Sequence, residues 1–302
     1  LEAKWFTLKL LVTGASGLFG SKLAETALAA KLDVYSGFSK DAVRFGVPVK
    51  FDISDKSQVD SAFATVKPDV VVHAASLTDV DKCELDHSLA WKINAEGTKN
   101  VAEATARCGA FLVYISTDYV FGGEKGCYKE DDVPKPINYY GLTKLKAEET
   151  AKKLVPDCCI ARASVIYGAS PAAGKVNFAL WLINKLRNGE KARIVTDQRN
   201  SPTLNTNLAD MVLEVVDRRL SGVFHLCGAS RVSRYEFALQ IAETFGLEAD
   251  LIERVDSSTL KLLAKRPKDS SLDVSKATEL LKNKPLQLVD ALALLKQELT
   301  IK

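Results

Sequence analysis

A strand that runs into three glycines at three-residue spacing, and then into a helix, leaves a chain few ways to fold. Residues 8–12, Leu8-Lys9-Leu10-Leu11-Val12, read as an apolar strand. Thr13-Gly14-Ala15-Ser16-Gly17-Leu18-Phe19-Gly20 follows, and residues 18–30 read as a helix with Leu23, Ala27 and Ala30 on one face. Glycines there let the backbone turn tightly and let a pyrophosphate approach the helix N-terminus, whose N–H groups favour an anion. A glycine triplet alone is weak, because turns need glycine anyway. Between a strand and a helix it predicts a dinucleotide cradle made by Gly14, Ser16, Gly17, Leu18, Phe19 and Gly20.

The alternation continues down the chain. Strands are predicted over 33–38, 47–51, 69–73, 110–115 and 159–163, and helices over 55–66, 85–107 and 139–154. Asp69-Val70-Val71-Val72-His73 is almost continuously apolar, as expected where both sheet faces are covered. This pattern gives an α/β fold with a Rossmann-like, doubly wound parallel sheet. Beyond residue 165 the regularity weakens, with Gly/Pro loops at 168–174 and 200–203. Helices are predicted there over 176–188, 207–219, 234–246 and 286–298, and a strand over 221–226. The expected organisation is a dinucleotide-binding domain over 1–165, to which 197–224 returns. Residues 166–196 and 225–302 would form a smaller C-terminal substrate-binding lobe.

Several function classes are poorly supported. A net charge of +3 gives no electrostatic case for nucleic acid or a membrane surface. No apolar run approaches the roughly 20 residues that span a bilayer. Leu1 to Phe6 carry no signal-peptide pattern and, lacking Met, are expected to be an edited start leading straight into the first strand. Six scattered cysteines without a CxxC spacing fit free thiols in a cytoplasmic protein. The three histidines, His73, His87 and His225, form no ligand pattern, so no metal is expected.

The chemistry is expected at Tyr140-Gly141-Leu142-Thr143-Lys144. Tyr140 and Lys144 share a helix face, and a lysine ammonium there would lower the phenol pKa, making Tyr140 a usable proton donor. Ser116 and Thr117 end the fifth strand, at the carboxyl edge where ligands bind in such sheets, so Thr117 can bond the substrate oxygen. Together with the glycine turn, this pattern suggests hydride transfer to or from a carbonyl or alcohol.

Other positions surround the cofactor. An NAD site usually places an acid about 20 residues beyond the turn, at the end of the second strand. Here the stretch is Ser36-Gly37-Phe38-Ser39-Lys40, with Arg44 close by, which leans to the 2′-phosphate of NADPH over NADH. The less favoured reading of the same cations is solvated loop charges. Asp52 and Ile53 can meet the adenine, and His73-Ala74-Ala75 ends the fourth strand with small residues where backbone must pass the cofactor. The His73 ring itself reads better as a packed, hydrogen-bonded side chain than as a catalyst.

The motifs TGASGLFG (13–20), DIS (52–54), HAA (73–75), NAEGTKNV (94–101), STDYVF (116–121), YYGLTK (139–144) and RASVIYG (162–168) together resemble the extended short-chain dehydrogenase/reductases. TDVDKCE (78–84), ISTDYVFGG (115–123), SRYEFA (233–238) and RPKDSSLD (266–273) are most similar to the dTDP-4-dehydrorhamnose reductase branch and to regulatory β subunits of methionine adenosyltransferase. The resemblance implies a Thr117, Tyr140, Lys144 triad and hydride transfer from nicotinamide C4 to the C4 keto carbon of a nucleotide-linked deoxysugar. It implies that Lys144 holds the nicotinamide ribose, that Asn94 supports the site, and that Ala163 and Ser164 touch the nicotinamide. Substrate contacts would come from Thr78, Val80, Asp81, Thr117, Asp118, Tyr119, Val120, Phe121 and Arg266. Some bacterial members use acids for a magnesium ion at a homodimer interface. This chain has Leu18, Phe19, Ser21 and Lys22 at the first-helix position, so no such magnesium is expected and a homodimer stays open.

Rival activities differ in what they need. A dehydratase of this family carries Asp-Glu where this chain has Asp118-Tyr119, and so lacks its base. A 4-epimerase usually keeps NAD, and the acid that favours NAD is absent. A non-catalytic, NADP-binding regulatory subunit partnered with methionine adenosyltransferase is the alternative from a different class.

Overall fold

The computed structural model describes residues 8–170 and 176–300. The predicted start at 1–6 and residues 171–174 of the predicted loop lie outside them. The first half alternates as β1 (Lys9–Thr13), α1 (Leu18–Ala29), β2 (Asp33–Phe38), β3 (Val47–Lys50), α2 (Lys56–Val66) and β4 (Val70–His73). It continues with α3 (Val80–Leu85), α4 (His87–Ala90), α5 (Gly97–Cys108), β5 (Phe111–Thr117), α6 (Tyr139–Leu154) and β6 (Cys159–Ala163).

The six strands and a seventh, Gly222–His225, form one parallel sheet. Its spatial order is Gly222–His225, β6, β5, β4, β1, β2, β3. Winding reverses between β1 and β4, and such a switch opens a crevice at the carboxyl ends of the strands. Alternation of side chains explains the continuous apolar strands. Leu10, Val12, Val70 and Val72 face α1 and the helix Asn205–Arg218, while Leu11 and Val71 face α2, α5 and α6.

Beyond the sheet, helices Phe178–Arg187, Arg234–Phe245 and Leu288–Thr300 bury a third apolar cluster that includes Leu182, Phe237 and Leu292. Strands Ala192–Val195 and Ile252–Val255 pair in parallel beside it. Among the described residues, no helix is long and apolar enough to cross a membrane.

One sequence expectation changes. The long helix over 85–107 is α4, a π-helical turn at Trp91–Glu96, and α5. A π turn inserts a residue into the helical ladder and re-aims side chains. Here it turns Asn94 into the interior, where the amide is anchored from both sides.

Candidate active site

The glycine turn forms a cradle that only glycine fits. Gly14 has φ of +69°, and a Cβ there would meet the Ala75 nitrogen at 2.7 Å. At Gly20 a Cβ would collide with the Gly14 carbonyl oxygen. Gly17 caps α1 without a side-chain hydrogen bond, and the first turn carries no acid. The helix N-terminus is therefore free to bind a pyrophosphate. Ser16 and Leu18 are half-buried beside it, and Phe19 is packed in the core. At the rim, Phe38 is half-buried, whereas Ser39, Lys40 and Arg44 are exposed. These residues fit an NADP-type dinucleotide.

Around the cradle, most polar side chains are already committed. Asp52 Oδ1 accepts the Ser54 N–H at 2.8 Å, and Ile53 is packed against Gly97. His73 is buried, with Nδ1 2.6 Å from Thr13 Oγ and Nε2 3.0 Å from Thr98 Oγ. Thr98 donates its proton to the Asn94 carbonyl, so His73 must carry its proton on Nε2 and accept from Thr13 at Nδ1. Burial, with the charge of Lys144, pushes the imidazole down to about 3, so the ring is a neutral strut. Ala74 and Ala75 are half-buried beside the turn.

Asn94 was expected to support the site. Its Oδ1 accepts the Leu77 N–H at 2.7 Å and the Ser76 hydroxyl at 2.9 Å. Its Nδ2 donates to the Leu77 carbonyl at 3.2 Å and to Thr143 Oγ at 3.0 Å. All four bonds of the amide are used within the protein, so its side chain clamps α6 to the 76–77 loop and has nothing left for a ligand.

Thr117, Tyr140 and Lys144 meet at the end of β5. Asn138 caps α6 by accepting the Gly141 N–H at 2.8 Å, which fixes Tyr140 in the first turn and Lys144 one turn later. Both Thr117 and Tyr140 are buried, with the Thr117 hydroxyl near the phenol. The expected acidification of Tyr140 is not what this arrangement gives. Burial pushes the phenol well above its ordinary value, and the nearby Thr117 hydroxyl only partly opposes it. Lys144 is itself buried. Its Nζ donates to the Ile115 carbonyl at 2.7 Å and lies 4.3 Å from the Tyr114 ring centre. Burial lowers it to about 7, with Glu148 resisting, so it is a weak cation near neutral pH.

Ser116, the neighbour of Thr117, faces the other way. Its hydroxyl donates to Glu148 at 2.5 Å, and Glu148 pairs with the buried Arg162 at 2.8 Å.

On the substrate side, three of the expected contacts lie inside the protein. Asp118, Val120 and Phe121 are buried. A 3₁₀ turn at Asp118–Val120 follows directly on β5. Phe121 stacks on Tyr128 at 4.2 Å. Asp118 accepts hydroxyls from Thr117 at 3.1 Å, Ser164 at 2.9 Å and Ser270 at 2.5 Å. Ser164 is thus occupied, and Ala163 is buried at the end of β6.

Asp81 accepts the N–H groups of Leu263 and Ala264 and pairs with Arg266 at 3.0 Å, so it orients Arg266. Val80 is half-buried and Thr78 exposed near it. Tyr119 presents its ring edge-on to Tyr140 at 6.1 Å. Arg234, which sequence reasoning missed, approaches from the start of the helix Arg234–Phe245 with its guanidinium 5.3 Å from the Phe178 ring centre.

A family model described as RmlD substrate binding domain matches residues 8–301. The probable low-salt glycan biosynthesis reductase of Haloferax volcanii is 35% identical over 87% of this chain and 89% of its own length. The β subunit of methionine adenosyltransferase 2 from Pongo abelii is 29% identical over 89% and 81%. A solved dTDP-4-dehydrorhamnose reductase from Bacillus anthracis, in complex with NADP, superposes with a TM-score of 0.87. That structure is 31% identical and covers 97% of this chain and 99% of that one. With the family model spanning nearly the whole length, and this fold around these motifs, the chain belongs to the RmlD substrate-binding domain family of extended short-chain dehydrogenase/reductases.

Proposed function

We propose that this protein reduces the C4 keto group of a nucleotide-linked deoxysugar with NADPH, as a dTDP-4-dehydrorhamnose reductase forming dTDP-L-rhamnose. The observation that carries this reading is the buried Thr117–Tyr140 pair at the carboxyl edge of β5, one helical turn from Lys144 and beside a glycine cradle free of acids. The nicotinamide supplies the hydride when bound. The cradle would orient that cofactor, and Lys144 would hold a ribose hydroxyl. Tyr140 delivers the proton to the alkoxide oxygen. Its raised pKa keeps it protonated, which suits a donor more than a base.

The Thr117 proton goes to Asp118, so it has none to offer the keto oxygen, and its task is to fix the position of Tyr140. Burial of the pair keeps water from competing for the proton.

NADPH oxidation with dTDP-4-dehydrorhamnose and a small panel of 4-keto sugar nucleotides tests the reading. Substrate-dependent oxidation supports it. Binding of NADPH without oxidation of any member contradicts it. The likeness to the adenosyltransferase β subunit favours one second reading, an NADP-binding regulatory subunit. Capture of an adenosyltransferase, with no turnover, would support that instead.

A further inference from the structure

Six hydrogen bonds lead from the edge of the glycine cradle to the backbone of Tyr140, and every donor among them points the same way. A Cβ at Gly14 would meet the Ala75 nitrogen at 2.7 Å, so the Ala75 N–H lies against the cradle. That N–H donates to Thr13 Oγ at 3.2 Å, and the Thr13 hydroxyl donates to His73 Nδ1 at 2.6 Å. His73 Nε2 donates to Thr98 Oγ at 3.0 Å, and the Thr98 hydroxyl donates to the Asn94 carbonyl at 2.6 Å. Asn94 Nδ2 donates to Thr143 Oγ at 3.0 Å, and the Thr143 hydroxyl donates to the Tyr140 carbonyl at 2.8 Å.

A hydroxyl has one proton, and each one here is given to the next acceptor in the series. Thr13, His73, Asn94, Thr98 and Thr143 are all buried, so a broken link leaves a buried polar group unpaired. A threonine bonding back along its own helix is common. What sets Thr143 apart is that the same hydroxyl accepts from Asn94, whose carbonyl in turn accepts from Thr98. The π turn at Trp91–Glu96 permits this by facing the Asn94 amide inward. Burial and the charge of Lys144 push the His73 imidazole down to about 3, so the direction of the series does not reverse near neutral pH.

We propose that His73 and Thr98 are positioning residues for proton delivery: they set the first turn of α6, and Tyr140 with it, by reference to the seat of the cofactor. This rests on the reductase reading above. Tyr140 has to meet an oxygen whose place is governed by a cofactor seated on β1 and α1, while Tyr140 itself belongs to α6. The series of bonds joins those elements without passing through a ligand. Such a device matters because a misplacement of about 1 Å can cost roughly 10²-fold in rate.

The test is a double-mutant cycle, read in single-turnover oxidation of bound NADPH by dTDP-4-dehydrorhamnose. Thr98→Val keeps the shape of the side chain and removes both bonds of its hydroxyl, whereas Thr98→Ser keeps them. Each is measured with Tyr140 intact and in the Tyr140→Phe background. With Tyr140 intact, Val should slow the reaction roughly threefold to tenfold, with NADPH affinity and the half-saturating substrate concentration unchanged, and Ser should restore the rate. In the Phe background Val should change almost nothing, because the group it positions has lost its proton. Unchanged NADPH affinity shows that a variant is folded, and Thr143→Val, which cuts the same series nearer Tyr140, serves if Thr98→Val is not. A wild-type rate in Val, equal slowing in both backgrounds, or a Ser variant as slow as Val overturns the proposal. Amide hydrogen exchange of the NADPH-bound chain needs no turnover and keeps the two readings apart. Thr98→Val should exchange faster over residues 141–144 and at the wild-type rate over 148–154. If the wild type reduces no 4-keto sugar nucleotide, the reductase reading fails and exchange decides alone. Faster exchange confined to 141–144 then keeps the link between cradle and helix, and unchanged exchange removes it.

Discussion

Lys144 titrates in an unusual place. Its ordinary pKa is 10.5, and in the fold it lies at about 7. Below pH 7 both the folded and unfolded chains hold its proton. Between 7 and 10.5 the unfolded chain binds more protons than the folded one, so the contribution of Lys144 to stability rises with pH across that window. Cofactor-free protein should therefore lose part of its rise in thermal midpoint, from about pH 7 to about pH 9, when Lys144 is replaced by Met. A Lys144→Met variant with the wild-type pH slope would contradict this.

Lys40 and Arg44 are exposed cations at the cofactor rim, suited to a 2′-phosphate. Replacing both with Ala should remove a roughly tenfold to hundredfold preference for NADPH and leave NADH affinity nearly unchanged. Titrations at two salt concentrations check it, because an electrostatic preference must shrink as salt rises. Equal affinities for the two cofactors in the wild type would end the idea.

Residue identity carried the meeting of Thr117, Tyr140 and Lys144, because their spacing on a strand end and a helix face is local. It did not carry the burial of Asp118, Val120 and Phe121 around a 3₁₀ turn, nor the placing of Arg234 over the Phe178 ring. A charged residue at the start of a helix reads as solvated until its neighbours are known.

At the scale of elements, α6 places Tyr140, Lys144 and Glu148 four residues apart on one stripe. The stripe ends in a buried ion pair. Glu148 takes the Arg162 Nε at 3.0 Å and Nη2 at 2.8 Å, plus the Ser116 hydroxyl, tying α6 to β5 and β6. Glu148→Gln leaves a buried guanidinium without its charge partner and should cost about 3–5 kcal/mol in chemical denaturation. Glu148→Leu combined with Arg162→Met should cost much less than the sum of the singles. A single-variant cost under about 1 kcal/mol, the value of an exposed pair, would show that the bridge is not holding these elements.

Periodicity was enough to find β2, α6 and β6 to the residue, since each has a clear apolar face between turn signals. It missed α3, which is only six residues long, and the pairing of Ala192–Val195 with Ile252–Val255, two short strands far apart in sequence. It also ran α4 and α5 together, because the apolar spacing hides the π turn between them.

For the whole molecule, the segment 263–273 is the clasp. Asp81 holds Leu263, Ala264 and Arg266. Asn138 donates to the Lys265 carbonyl at 2.9 Å, and Ser270 bonds Asp118 beneath Thr117. The segment that carries Arg266 is thus fastened to the cap of α6 and to the end of β5, the two elements that bring Tyr140 and Thr117 together. The proposed substrate contact and the proposed proton donor thus share one frame, the arrangement a positioned acid needs.

Single-turnover oxidation of bound NADPH by dTDP-4-dehydrorhamnose, compared between wild type and Tyr140→Phe at equal cofactor occupancy, tests the account most directly. Loss of the positioned acid should slow the variant by roughly 10²–10⁴-fold with NADPH affinity nearly intact. A Phe variant that turns over at the wild-type rate, or a wild type that leaves NADPH unoxidised, would contradict it.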